Sequence, residues 1–134
     1  MALTARISAF IEALTGTTIN ITRSASVTDG TFTAVDHNPL DLNIVALANP
    51  PFGTTVDLDM TTAQYLFLEV VQPTVGPDPG LDVTITTPTG VVPTPTTVTL
   101  RVNNILLISS QITSLQIFNP NNIDIAVRIT AIGV

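Results

Sequence analysis

Residues 114–134, SLQIFNPNNIDIAVRITAIGV, decide the fold class of this chain. Apolar residues occupy every second position on both sides of a polar turn, with Leu115 and Ile117 before it and Ile125 and Val127 after it. A period of two is typical of a β-strand that turns one face toward a core and the other toward water. The stretch therefore predicts two strands.

The turn between these strands is Asn119-Pro120-Asn121-Asn122. Proline fixes φ, and asparagine side chains cap their own turns, so we predict a β-hairpin with a loop of about four or five residues. Residues 65–71 and 81–85 flank a proline-rich loop in a similar way. We predict that they form a second hairpin, which faces the first across a sandwich.

Most of the chain after residue 16 consists of short alternating segments separated by turn residues. Their spacing predicts an all-β fold, an antiparallel β-sandwich or jelly roll of about 8–10 strands. A chain of 134 residues is the size of one ordinary domain. We therefore predict a single β-sandwich domain over residues 17–134.

Residues 1–16 have a different pattern, which predicts a short N-terminal amphipathic α-helix. The apolar residues recur at helical spacing, and Gly16 supplies a C-terminal stop: Leu3, Ile7, Phe10, Ile11 and Leu14. A helix of about fourteen residues is marginal alone, so the apolar stripe needs a surface to pack on. That surface is either the core of the same domain or a neighbouring chain.

The composition is poor in charge. Charged residues make up 10% of the chain, the net charge is −6, and threonine occurs 23 times. Without a cluster of basic residues, neither a nucleic-acid partner nor an anionic membrane is expected. With no cysteine, disulfides and thiolate metal sites are excluded.

Residues capable of chemistry do not form a recognisable catalytic motif. His37 is the single histidine and is expected to lie in a solvated loop. Asp57 and Asp59 are two apart on a predicted strand and would share a face, which suits a polar outer surface better than a glycosidase or calcium site. We therefore predict a protein that is not an enzyme and has no cofactor or metal.

Several of these motifs resemble those of small phage virion proteins. The similarity lies in the Leu115-Gln116-Ile117-Phe118-Asn119-Pro120 turn with the alternating strand after it, in the 65–70 and 83–86 segments, and in the opening segment 3–11. The resemblance implies a bacteriophage capsid decoration or cement protein with a jelly-roll fold, often trimeric. It implies no catalytic residue.

The expected function is that of a non-enzymatic virion structural protein on the capsid surface, a homotrimer that binds the major capsid protein or another virion protein. The alternatives are a phage tail, baseplate or fibre-attachment component and a sugar- or receptor-binding β-sandwich module. The protein contacts are expected at the apolar residues of the helix and at an exposed proline-rich loop: Leu3, Ile7, Phe10, Ile11, Leu14, Val91, Val92, Pro93 and Pro95.

Overall fold

A computed structural model of the chain is all-β. It describes the backbone of residues 3–15, 18–32 and 34–37, and both backbone and side chains of residues 41–71, 80–88 and 95–134. These parts of the chain contain strands and no helix: β1 (Leu3–Thr15), β2 (Thr18–Phe32), β3 (Ala34–His37), β4 (Leu42–Ile44), β5 (Thr54–Val56), β6 (Ala63–Val70), β7 (Leu81–Thr87), β8 (Thr96–Val102), β9 (Ile105–Ile112), β10 (Ser114–Phe118) and β11 (Ile125–Gly133).

The chain divides into two compact units, Met1–Thr33 and Ala34–Val134. In the first, β1 and β2 form a long antiparallel hairpin whose register places Ile7 opposite Val27 and Ala9 opposite Ala25. The predicted boundary at residue 16 lies inside this unit.

The N-terminal helix is a prediction that the structure corrects, because residues 3–15 form strand β1. The same residues also have a period of two when alanine is counted as apolar: Leu3, Ala5, Ile7, Ala9, Ile11 and Ala13 alternate with the residues between them. A pairing partner in β2 decides between the two periods, since helix propensity is a weak preference that long-range contacts override.

The second unit contains two antiparallel sheets. Sheet I has the order β5-β10-β7-β8, and sheet II has the order β3-β11-β6-β9, with β4 also paired to β11. The pairing of this unit is nested: β3 and β4 pair with β11, β5 with β10, β6 with β9 and β7 with β8. The predicted all-β sandwich is confirmed.

One apolar core lies between the two sheets. It takes alternate residues from the central strands, including Leu66 and Leu68 of β6, Val83 of β7 and Leu115 of β10, all 0% exposed. Burying each such side chain contributes roughly 1.5–3 kcal/mol, so this interior holds the sandwich together. Strand β6 lies between β11 and β9 in sheet II, and its Phe67 is exposed.

The two predicted hairpins are wrong in their connection. β10 and β11 belong to different sheets, and so do β6 and β7. Each pair is an arch that carries the chain from one sheet to the other. Alternation in the sequence identifies the strands, but it does not distinguish a partner in the same sheet from a partner across the core, because both bury every second residue.

Candidate protein-contact surface

Four exposed apolar side chains lie on two loops at one end of the sandwich. Val45, Leu47 and Phe52 belong to the loop 45–53 between β4 and β5, and Ile123 belongs to the loop 119–124 between β10 and β11. Their exposed fractions are 49%, 53%, 49% and 56% in that order. We call these residues the loop patch. Apolar side chains grouped on a surface in this way are typical of a protein-contact site.

Hydrogen bonds connect the two loops of the loop patch. The backbone N–H of Ala46 donates to Asp124 Oδ1 at 2.9 Å, and the backbone N–H of Leu47 donates to the Asn119 carbonyl at 2.8 Å. Asn43 Nδ2 donates to Asp124 Oδ2 at 3.1 Å. The apolar side chains therefore project from two loops whose backbones are hydrogen-bonded to one another. This lowers the conformational entropy that the loops lose when a partner binds.

Asn119 is the buried anchor of this end of the sandwich, with an exposed fraction of 0%. Its Nδ2 donates to the carbonyl oxygens of Ile44 at 2.9 Å and Ile123 at 2.8 Å. Its Oδ1 accepts from the backbone N–H of Asn121 at 3.0 Å. The prediction that these asparagines cap their own turn is confirmed.

The 45–53 loop has an unusual backbone. Leu47 and Asn49 have φ of 55° and 51°, and Gly53 has φ of 81°. Asparagine and glycine tolerate this left-handed region, but a leucine there costs about 1–2 kcal/mol. Gly53 is also required by space, since a Cβ there would collide with the carbonyl oxygen of Ile117. A strained leucine that is also about half exposed gains little from burial, which favours a role in contact.

The electrostatics of the loop patch depend on Asp124. The hydrogen bond from the Ala46 backbone N–H lowers the pKa of this carboxyl, and the bond from Asn43 lowers the pKa further. Both bonds stabilise the charged form. Asp124 is thus ionised at neutral pH and holds loop 45–53 against the start of β11.

Asp57 and Asp59 do not share a strand face as predicted. β5 ends at Val56, and the backbone N–H of Asp59 donates to Asp57 Oδ1 at 3.0 Å, closing a turn in which Asp59 has φ of 50°. A depression of about 340 Å³ beside this turn has Asp57 as its single charged lining residue. Within the described ranges, no three His, Asp or Glu residues are grouped as metal ligands.

The sequence-predicted contact residues lie mostly outside the described side chains. Leu3, Ile7, Phe10, Ile11 and Leu14 are on β1, of which the structure describes the backbone. Val91, Val92 and Pro93 fall outside the described residues, while Pro95 is exposed next to β8. His37, predicted in a loop, lies in β3 opposite Thr130.

Sequence reasoning missed the loop patch because residues 45–48 looked like the continuation of a strand. In the structure β4 ends at Ile44. The available signal was Asn49-Pro50-Pro51, which ends regular structure and leaves the apolar residues before it on a turn.

Comparison with protein-family models, curated proteins and solved structures finds no match for this chain. Among the described residues, no helix has the length and apolar character needed to cross a membrane.

Proposed function

We propose that this chain is a non-enzymatic structural protein of a bacteriophage particle, a homotrimer that binds shell subunits at the capsid surface and stabilises the shell. The loop patch is the surface proposed to contact the shell. Decoration of this kind needs neither a cleft nor a cofactor, because affinity comes from apolar contact repeated over many copies.

The nested strand pairing supports the proposal at the level of the fold. In the second unit, β4 pairs with β11, β5 with β10, β6 with β9 and β7 with β8. A jelly roll has this nested arrangement. This architecture is common in viral capsid domains, but it also occurs in lectins and cupins. The fold therefore supports a virion role by analogy alone.

The observation that carries the proposal is the loop patch itself. Phe52 and Ile123 are about half exposed, although their loops are fastened to one another by Asp124 and Asn119. Rigid apolar loops suit a fixed protein partner better than a small polar ligand, for which convergent polar groups would be needed. The low charge of the chain also reduces the desolvation cost of covering its surface.

Quantitative mass spectrometry of particles purified from the phage that encodes this chain tests the proposal. We expect the chain in a fixed ratio to the shell subunit, with a copy number in the hundreds rather than the few copies of a tail or baseplate component. The absence of the chain from purified particles would refute the virion role.

A matched pair of variants tests the surface. Phe52→Ser removes an exposed apolar side chain from the loop patch. Val134→Ser removes one of similar exposure directly after β11, at the opposite end of that strand from Ile123 of the loop patch. Purified variants would be added to particles that lack the chain, and bound protein would be measured by co-sedimentation. We expect weaker binding for Phe52→Ser alone; equal binding of both variants would place the contact elsewhere.

A further inference from the structure

The two sides of the sandwich differ in their edge strands. On one side β5, β4 and β3 have three, three and four residues. On the other side, the edge strand of sheet I is β8, with seven residues, and the edge strand of sheet II is β9, with eight. The long edges are also uncharged, apart from Arg101 in β8.

Strand β8 leaves the core open along this side. Val98 and Leu100 pair with Ile85 and Val83 of β7, which are 6% and 0% exposed. Residues opposite one another in an antiparallel pair share a face of the sheet, so Val98 and Leu100 lie on the core face. They are nevertheless 42% and 38% exposed.

Over residues 96–100, the outer edge of β8 also lacks the features that keep edge strands apart. Proteins usually protect such an edge with charged residues, proline, a bulge or a short strand. Residues 96–100 contain no charge and no proline, and their register with β7 is uninterrupted. No strand pairs with this outer edge in the part of the chain that the structure describes. An unprotected edge of this length is a template for another strand.

We propose that β8 pairs with β8 of a second copy of this chain, antiparallel, about a twofold axis at Thr99. The two sheets I then form one continuous sheet. In this register Val98 lies opposite Leu100 of the second copy, on the core side of both sheets. The open stretch of each core is thereby covered by the other.

Charge favours a second copy at this edge. Residues 34–134 contain eight carboxylates and two arginines, a net charge of −6, so most surfaces of two copies would repel one another. Beside β8, the carboxylate of Asp82 in β7 is paired with Arg101 at 3.3 Å. The register about Thr99 places Arg101 opposite Thr97 rather than opposite Arg101 of the second copy, so no like charges meet.

This pairing goes beyond the proposed function, because it is a twofold contact in addition to the threefold contacts of the proposed homotrimer, and it does not require a capsid. The isolated full-length chain therefore tests it without any particle. Failure of the isolated chain to pair through β8 would leave the co-sedimentation experiment unaffected. Failure of the chain to bind particles would leave β8 pairing unaffected.

Cross-linking tests the register. The chain has no cysteine, so Thr99→Cys introduces a single thiol. Opposite residues of an antiparallel pair have Cα atoms about 4.5–5.5 Å apart, within the range that a disulfide spans. Under mild oxidation we expect Thr99→Cys to form a covalent dimer on non-reducing gels, while Thr97→Cys, which would face Arg101, stays mostly monomeric. Equal cross-linking of both variants, or none of either, would overturn the pairing.

A second pair of variants tests the contact without relying on a disulfide. Val98→Lys places a charge on the exposed core side of β8, and Thr55→Lys places the same charge on the short edge strand β5 of the same sheet. Light scattering after gel filtration should show that the twofold contact is weaker in Val98→Lys than in Thr55→Lys. The protein concentration at which the contact dissociates should be at least about tenfold higher for Val98→Lys. Circular dichroism would confirm that both variants fold. Identical association of the two folded variants would overturn the proposal.

Discussion

Asn119 Nδ2 lies 2.9 Å from the carbonyl oxygen of Ile44, and this hydrogen bond joins the two sheets. Asn119 directly follows β10 of sheet I, and Ile44 is the last residue of β4 in sheet II. Both residues are almost fully buried, with exposed fractions of 0% and 1%. The loop patch begins on either side of this bond, so its position depends on a polar contact inside the core.

Asn119→Ala should reduce the free energy of unfolding by about 2–4 kcal/mol. The substitution leaves the carbonyls of Ile44 and Ile123 and the N–H of Asn121 without their partner, and each unsatisfied buried group costs about 1–3 kcal/mol. Urea unfolding measures the change. Asn122→Ala, at an exposed position of the same turn, is the control and should have little effect. Equal losses in the two variants would contradict the role of the buried carboxamide.

Gly53→Ala should destabilise the protein by more than about 2 kcal/mol. A Cβ at this residue meets the backbone of Ile117 and Phe118, which cannot move without disturbing the pairing of β10 with β5. Thermal unfolding by circular dichroism measures the effect. Thr55→Ala, two residues away and exposed, is the comparison. A Gly53→Ala protein as stable as Thr55→Ala would show that the 45–53 loop does not approach β10 this closely.

Asp124 should make stability depend on pH in the acid range. Because hydrogen bonds lower its pKa in the folded protein, Asp124 contributes stability that is complete above its unfolded pKa of about 4 and is lost as the pH falls through the folded pKa. Asp124→Asn should therefore be less stable than the parent protein at pH 6–7, and the difference should disappear as the pH falls through the folded pKa of Asp124. Urea unfolding across this range measures the difference.

Asp59→Asn removes the same charge from the turn after β5 and serves as the control for Asp124→Asn. If the stability difference came from net charge alone, both variants would show it equally. Dependence on the loop hydrogen bonds predicts that Asp124→Asn shows the larger loss.

How much of this fold the sequence predicts depends on how far apart along the chain the interacting residues lie. Alternation in residues 125–129 identifies a strand, because each second residue meets the same core. It does not identify the partner: β11 pairs with β6 and β4, far along the chain, rather than with β10. Pairing of this kind depends on contacts across the whole unit, which a local pattern does not contain.

The backbone conformation of the loop patch is not predicted, for a related reason. Leu47 looks like a strand residue by its neighbours, and its left-handed backbone depends on Asn119, more than seventy residues away, accepting its N–H. The turn at Asn119-Pro120-Asn121-Asn122, by contrast, was predicted correctly because Asn119 and Asn121 form it within three residues. Hydrogen bonds within a turn can be predicted from sequence, whereas hydrogen bonds between residues far apart in the chain cannot.

Leu47→Asn should make the protein more stable and less able to bind its proposed partner. Asparagine tolerates the left-handed backbone that leucine adopts here with φ of 55°, so the substitution should raise the free energy of unfolding by about 0.5–1 kcal/mol. It also removes an apolar side chain that is 53% exposed and therefore contributes little to folding. Urea unfolding measures the first effect, and co-sedimentation with particles that lack the chain measures the second.

Phe52→Asn is the matched control for Leu47→Asn, since it removes a similarly exposed apolar side chain from the same loop at a residue whose φ is not positive. It should weaken binding without a gain in stability. A Leu47→Asn protein that is more stable and binds as well as the parent would show that the strain at Leu47 serves no contact. A gain in stability together with a loss of binding would show that a destabilising residue is retained here for the surface it presents.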